Sequence, residues 1–167
     1  MSEIKNFAEY LAEQQQGVYA SAILTDESKQ QLYDFVDKNL NLDKKTAKED
    51  YHTTVVYSRK PFGVKFGDVP LTPLAVLTTK ATGYELFNTQ DGGKCLVLKL
   101  DSPFLTSLHN AYIGAGASYD YDEYKPHITL CYNFTGELGA LPLPDFDIQY
   151  DKLEIKPLDT DYKPEDK

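Results

Sequence analysis

A short pattern that occurs twice fixes much of what this chain can become. In Tyr124-Lys125-Pro126-His127-Ile128-Thr129-Leu130-Cys131-Tyr132, a proline is followed by apolar, β-branched and aromatic residues. Proline favours an extended approach, and the residues after it favour a strand. Side chains alternate across a strand, so His127, Thr129 and Cys131 share one face while Ile128, Leu130 and Tyr132 share the other. Tyr51-His52-Thr53-Thr54-Val55-Val56-Tyr57 repeats the arrangement, with His52 and Thr54 on one face and a tyrosine equally far behind the histidine. Each strand thus aims an imidazole and a hydroxyl the same way. The rest of the chain reads as two arms that bring these pairs together.

The arms match in outline. Val18 to Leu24 reads as a strand, and Thr25 or Asp26 can cap a helix running to about Leu40 with Leu32, Phe35, Val36 and Leu40 as its apolar stripe. A polar connection then leads to the first His-x-Thr strand. In the second arm, 94–100 reads as a strand. Ser102-Pro103 opens a helix to about Ile113, and the Tyr-rich stretch 119–124 leads to His127. Between the arms, 60–73 is broken by Pro and Gly, 74–79 and 84–89 read as strands, and 90–93 has hairpin-turn chemistry. A last strand is expected at 153–158.

A short amphipathic helix within 1–17 carries Ile4, Phe7 and Leu11, and 159–167 reads as a charged, flexible tail. This predicts one domain over 1–167 containing an internal repeat. The fold class is α+β, with two antiparallel sheets around a central cleft, flanking helices, and a pseudo-twofold relating the halves.

Composition removes several functions. The net charge is −9, which repels long nucleic acid because such binding depends on neutralising phosphates. A small anionic ligand in a local site remains compatible. No apolar run is long enough to span a membrane and Met1 to Gln16 is polar, so a cytoplasmic protein with no membrane partner is expected. Cys95 and Cys131 each lie in an apolar run and read as buried, inert thiols.

Two histidines facing one cleft suit general acid–base chemistry, since imidazole can take or give a proton near neutral pH. The threonine hydroxyls beside them can donate to a phosphoryl oxygen as charge builds there. That is the logic of phosphodiester cleavage without a metal or other cofactor. No His-Glu-x-x-His, cysteine pair or carboxylate cluster accompanies either histidine. His109, inside the second helix, reads as a packing or surface residue.

His52-Thr53-Thr54 and His127-Ile128-Thr129, on strands in two similar halves, resemble the twin signature of the two-histidine (2H) phosphoesterase superfamily from about Val18 to Leu158. Tyr-His-Thr-Thr-Val-Val-Tyr-Ser-Arg and Lys-Pro-His-Ile-Thr-Leu-Cys-Tyr further resemble the phage anti-CBASS phosphodiesterases. The superfamily resemblance implies a bilobal fold with His52, Thr54, His127 and Thr129 converging on a phosphate, and no metal. The narrower one implies cyclic di- and trinucleotide messengers with 3′–5′ linkages as substrates, made by a host's defence cyclases, and action in the host cytoplasm. One histidine would activate the ribose 2′-hydroxyl or a water, and the other would protonate the departing 5′-oxygen. Which histidine does which is open at this point, as is the oligomeric state.

Two further positions are substrate-binding candidates. Tyr19, on the first strand, could stack a nucleobase, and the resemblance favours an aromatic there. Glu154 could reach a base edge. A second stacking aromatic would have to be Tyr84, Phe62 or Phe66, since the chain has no Trp. Arg59 and Lys60 are better read as surface charges. Rival readings are a 2′,3′-cyclic phosphodiesterase for small nucleotides or RNA ends, a protein that sequesters a cyclic nucleotide without cleaving it, and a structural or interaction domain.

Overall fold

Residues 17–40, 42, 44–71, 77–89, 92–121 and 123–158 are described by a computed structural model. The expected helix within 1–17, apart from Gly17, and the tail 159–167 lie outside the described residues.

Each arm forms the same unit. Strand β1 (Val18–Leu24) buries Val18, Ala20, Ala22 and Leu24 and turns Tyr19 and Ile23 to the other face. Helix α1 (Asp26–Asn39) starts where the Thr25 hydroxyl accepts from the Ser28 amide at 3.0 Å, satisfying one of the first-turn donors that a helix leaves unpaired. Leu32 and Val36 carry its buried stripe. A single 3₁₀ turn (Lys48–Asp50) delivers the chain into β2 (His52–Ser58). In the second arm, β5 (Lys94–Asp101) precedes α2 (Pro103–Gly114), whose Ser102 cap accepts from Leu105 N at 3.1 Å; β6 (His127–Cys131) follows. Helix α2 gives way to Gly116 at φ +115°, a conformation that costs a Cβ-bearing residue.

Between and after the arms lie β3 (Gly67–Pro70), β4 (Leu77–Asn88) and β7 (Ile148–Pro157). All strand pairings among the described residues are antiparallel. The strand order is β2-β1-β7-β4-β5-β6, with β3 also against β7. Where two sheets were expected the described strands form one seven-stranded sheet, because β4 is long enough to pair on both sides: its Leu77–Thr79 pairs with β7, and from Lys80 onward it pairs with β5.

Three further details differ from expectation. The described part of 74–79 and the stretch 84–88 form one strand, because Lys80–Gly83 passes through a register shift instead of a turn. Strand β7 starts at Ile148 because Ile148 and Tyr150 are fully buried while Gln149 between them is only half-buried, the alternation of a strand. The broken segment contains β3. Gly17 has a role beyond ending a helix, since a Cβ there would sit 2.3 Å from the Ser58 carbonyl oxygen.

One main core joins the arms, including Leu24, Leu32, Val55, Leu98, Leu105, Ile128, Leu130 and Tyr150. Each such aliphatic side chain contributes about 1.5–3 kcal/mol by leaving water. Cys95 and Cys131 are buried. Among the described residues, no helix is long and apolar enough to cross a membrane. The order places β2 and β6 at opposite ends, yet the two strands pack against each other. The sheet therefore curls until its ends meet.

Candidate active site

Where the ends meet there is a cleft of about 560 Å³, lined by His52 and Thr54 from β2 and by His127 and Thr129 from β6. Tyr19 and Glu154 line it too. The structure thus gathers all six predicted site residues in one concavity of the size that holds a small organic ligand. A bulge shapes the first arm: Ser21 pairs with Thr54 and Ala20 with Val56, leaving Val55 as the extra residue. It re-aims the strand beyond the motif.

The two imidazoles are fixed by one device. His52 Nδ1–H donates to the Asp50 carbonyl at 2.7 Å, and His127 Nδ1–H donates to the Lys125 carbonyl at 2.8 Å. A carbonyl can only accept, so each Nδ1 carries the proton and each Nε2 is the nitrogen through which a reacting proton would pass. Both acceptors lie two residues upstream.

Beyond that the arms differ. The Tyr19 hydroxyl lies 2.9 Å from His52 Nε2 and 3.1 Å from Thr54 Oγ1. With the proton of His52 on Nδ1, the phenol donates to Nε2 and its oxygen can accept from Thr54. The His127 ring meets Phe87 edge-on, with centroids 4.9 Å apart, and is only 8% exposed. The Tyr19 ring contacts Tyr57 edge-to-face at 5.7 Å and has the Lys156 ammonium 5.6 Å from its centroid.

Strand register lays out the floor. Ser21 pairs with both Thr54 and Glu154, and Ile23 with both His52 and Lys152. At about 4.8 Å per strand, Glu154 and Lys152 are roughly 10 Å from the first motif. Lys29, Lys152 and Lys156 line the cleft along with Glu49, Asp50 and Glu154, so lysines and carboxylates balance here in a protein of net charge −9. Glu154 lies 3.6 Å from Lys156, and Lys152 lies 3.3 Å from Asp68.

Other candidates fall elsewhere. Tyr84 bonds the Pro142 carbonyl at 2.6 Å, and burial raises its hydroxyl pKa to about 12. Phe62 is buried against Tyr112, and Phe66 packs on the core. Arg59 pairs with Asp120 at 2.8 Å. None of these, nor Lys60, is among the lining residues.

Sequence reasoning missed Tyr132, which lines the cleft at 37% exposure. Strand β6 ends at Cys131 and Asn133 adopts φ +56°, which releases Tyr132 from the alternation of the strand. Lys152 was missed for a simpler reason: the last strand was expected to begin one residue after it. The period-two pattern Lys152, Glu154, Lys156 could have found the floor.

With this geometry in view, the chain can be set beside known proteins. A family model described as anti-CBASS protein Acb1 matches residues 16–165. The anti-CBASS protein Acb1 of Escherichia phage RB16 is 34% identical over 157 residues, covering 90% of this chain and 85% of that protein. The protein of the same name from Vibrio phage KVP40 is 35% identical over 118 residues, covering 71% and 74%, and that of Enterobacteria phage T4 is 30% identical over 164 residues, covering 97% of each.

Among solved structures, E. coli LigT complexed with 3′-AMP superposes with a TM-score of 0.55 at 15% identity, covering 85% of this chain and 87% of that one. A structure described as a phosphoesterase gives 0.53 at 15%, covering 85% and 88%. At such identity the likeness is one of fold, and the fold is that of the 2H phosphoesterases.

Proposed function

The chain belongs to the anti-CBASS Acb1 family, and from that premise we propose that it is a metal-independent phosphodiesterase opening the 3′–5′ linkages of cyclic di- and trinucleotide messengers. One observation carries the reading: both His-x-Thr pairs, from opposite ends of the strand order, line a single cleft. The solved LigT complexes contain 3′-AMP, ATP and NADP+, which supports a nucleotide ligand on this scaffold. The cleft volume fits a small cyclic nucleotide, and the acidic surface disfavours long nucleic acid. Removing such messengers would keep a host's CBASS effector inactive during phage infection.

The difference between the arms supports an assignment of roles. His52 Nε2 accepts a hydrogen bond from a hydroxyl at 2.9 Å, the geometry a general base needs toward a ribose 2′-hydroxyl. In this reading, His52 takes the 2′-hydroxyl proton as O2′ forms its bond to phosphorus. The P–O5′ bond breaks, and a protonated His127 gives its Nε2 proton to O5′. Thr54 and Thr129 donate to the phosphoryl oxygens as negative charge grows. Water then opens the resulting cyclic phosphate with the histidines in reversed roles, leaving a linear, phosphate-terminated product. Substrate must displace the Tyr19 phenol from His52, after which the ring can serve a base and Glu154 can meet a base edge.

The test compares turnover of a 3′,3′-cyclic dinucleotide with that of a 2′,3′-cyclic mononucleotide, both in EDTA. Preferential cleavage of the dinucleotide is expected. Cleavage of the mononucleotide alone would move the assignment to end-processing chemistry, and loss of activity in EDTA would overturn the metal-free mechanism.

A further inference from the structure

Strands β2 and β6 lie at opposite ends of the strand order, so no ladder between them sets one His-x-Thr pair against the other. Their alignment has to come from contacts outside the ladder. Residues 44–46 supply one, bridging β6 through Lys45 and Cys131 and through Thr46 N–H to the Leu130 carbonyl at 2.9 Å. That contact lies six residues before His52 and leaves the motif itself untied.

A second set of contacts reaches the motif directly. The Tyr124 hydroxyl donates to the Thr54 carbonyl at 2.7 Å, and His109 Nδ1–H donates to the Val55 carbonyl at 2.7 Å. The His109 and Tyr124 rings stack at 4.2 Å with an interplanar angle of 5°, and Tyr119 closes edge-on against His109 at 4.5 Å. Two consecutive carbonyls at the β2 bulge are therefore held by one rigid aromatic stack. Tyr124 lies three residues before His127, in the segment that also carries the second histidine.

We propose that Tyr124, backed by His109, is a positioning residue that registers the first His-x-Thr pair against the second. It touches no reacting atom. It acts through the Thr54 backbone, whose side chain lines the cleft. Small displacements of reacting groups cost rate far more than they cost binding, so its loss should fall on kcat. The inference rests on the phosphodiesterase reading for its kinetic test only.

Tyr124→Phe keeps the ring and the stack and removes the hydroxyl alone. On a 3′,3′-cyclic dinucleotide, kcat should fall roughly ten- to hundredfold with KM little changed. Thr53→Val is the control: it breaks the buried Thr53–Tyr150 hydrogen bond of 2.6 Å on the same strand without touching the stack. It should lose thermal stability and keep its kcat. Wild-type kcat in Tyr124→Phe, or equal losses of kcat in both variants, would overturn the proposal.

Histidine-ring NMR of the unliganded protein reads the same clamp without a substrate. The His52 signals should shift in Tyr124→Phe and stay in place in Thr53→Val. If the wild-type protein cleaves no cyclic dinucleotide, the functional reading fails, yet unmoved His52 signals in Tyr124→Phe would still refute the clamp on their own.

Discussion

In the first arm His52 Nδ1–H donates a hydrogen bond to the Asp50 carbonyl, and in the second His127 Nδ1–H donates one to the Lys125 carbonyl, at 2.7 and 2.8 Å. The repeated unit has reproduced the same tautomer at two points of the chain. The surroundings of the rings were not reproduced. His52 meets the Tyr19 hydroxyl and through it Thr54, whereas His127 packs against Phe87. A repeat thus supplies two equivalent proton carriers, and the neighbours that the repeat does not copy can divide the labour between them.

The most severe way to break the comparison is to remove one partner. His52→Ala and His127→Ala should each cut kcat by roughly 10²–10⁴, the usual worth of a general acid or base. Added imidazole sharpens the contrast. Rescue of His52→Ala should grow as pH rises and imidazole becomes neutral, while rescue of His127→Ala should grow as pH falls. The same pH dependence for both would cancel the division of labour. Thr54→Ala and Thr129→Ala test the hydroxyls, with losses on the order of 10² expected for a donor to developing charge.

Smaller effects probe the surroundings of the first arm. Tyr19→Phe keeps the ring and removes the hydroxyl that substrate must displace from His52. It should lower KM by up to roughly tenfold, the scale of one hydrogen bond, and initial rates across substrate concentrations would show an unchanged or higher KM if the phenol does not compete. Behind that arm, burial holds the His109 pKa below its ordinary value of 6.5. Its unfolded form binds a proton more readily than its folded form, so the stability it contributes is present above pH 6.5 and is lost as pH falls toward the folded value. Thermal melts of His109→Gln against wild type across that range should show a shallower acid loss in the variant. Parallel curves would remove His109 as the titrating group.

Much of this was legible in the chain. The strand–helix–strand units could be read because Thr25 and Ser102 are strong helix caps and because His-x-Thr alternates cleanly in a strand. Residues whose direction followed from that alternation, such as His127 and Thr129, were placed in advance. Tyr132 was not, because its direction depends on where β6 stops and on the positive φ of Asn133. The Tyr19 hydroxyl bridge and the Tyr124 clamp were also hidden, since both depend on which strands become neighbours when the sheet curls. Period-two patterns give the face of a strand and say nothing about what lies across from it.

The central claim is that one site built from both arms breaks a phosphodiester bond. Its most direct test is the mass of the products formed from a 3′,3′-cyclic dinucleotide in EDTA by the wild-type protein and by folded His52→Ala and His127→Ala. Linear, phosphate-terminated product is expected from the wild type and, over the same interval, almost wholly intact substrate from both variants. Wild-type turnover by either variant would contradict that claim.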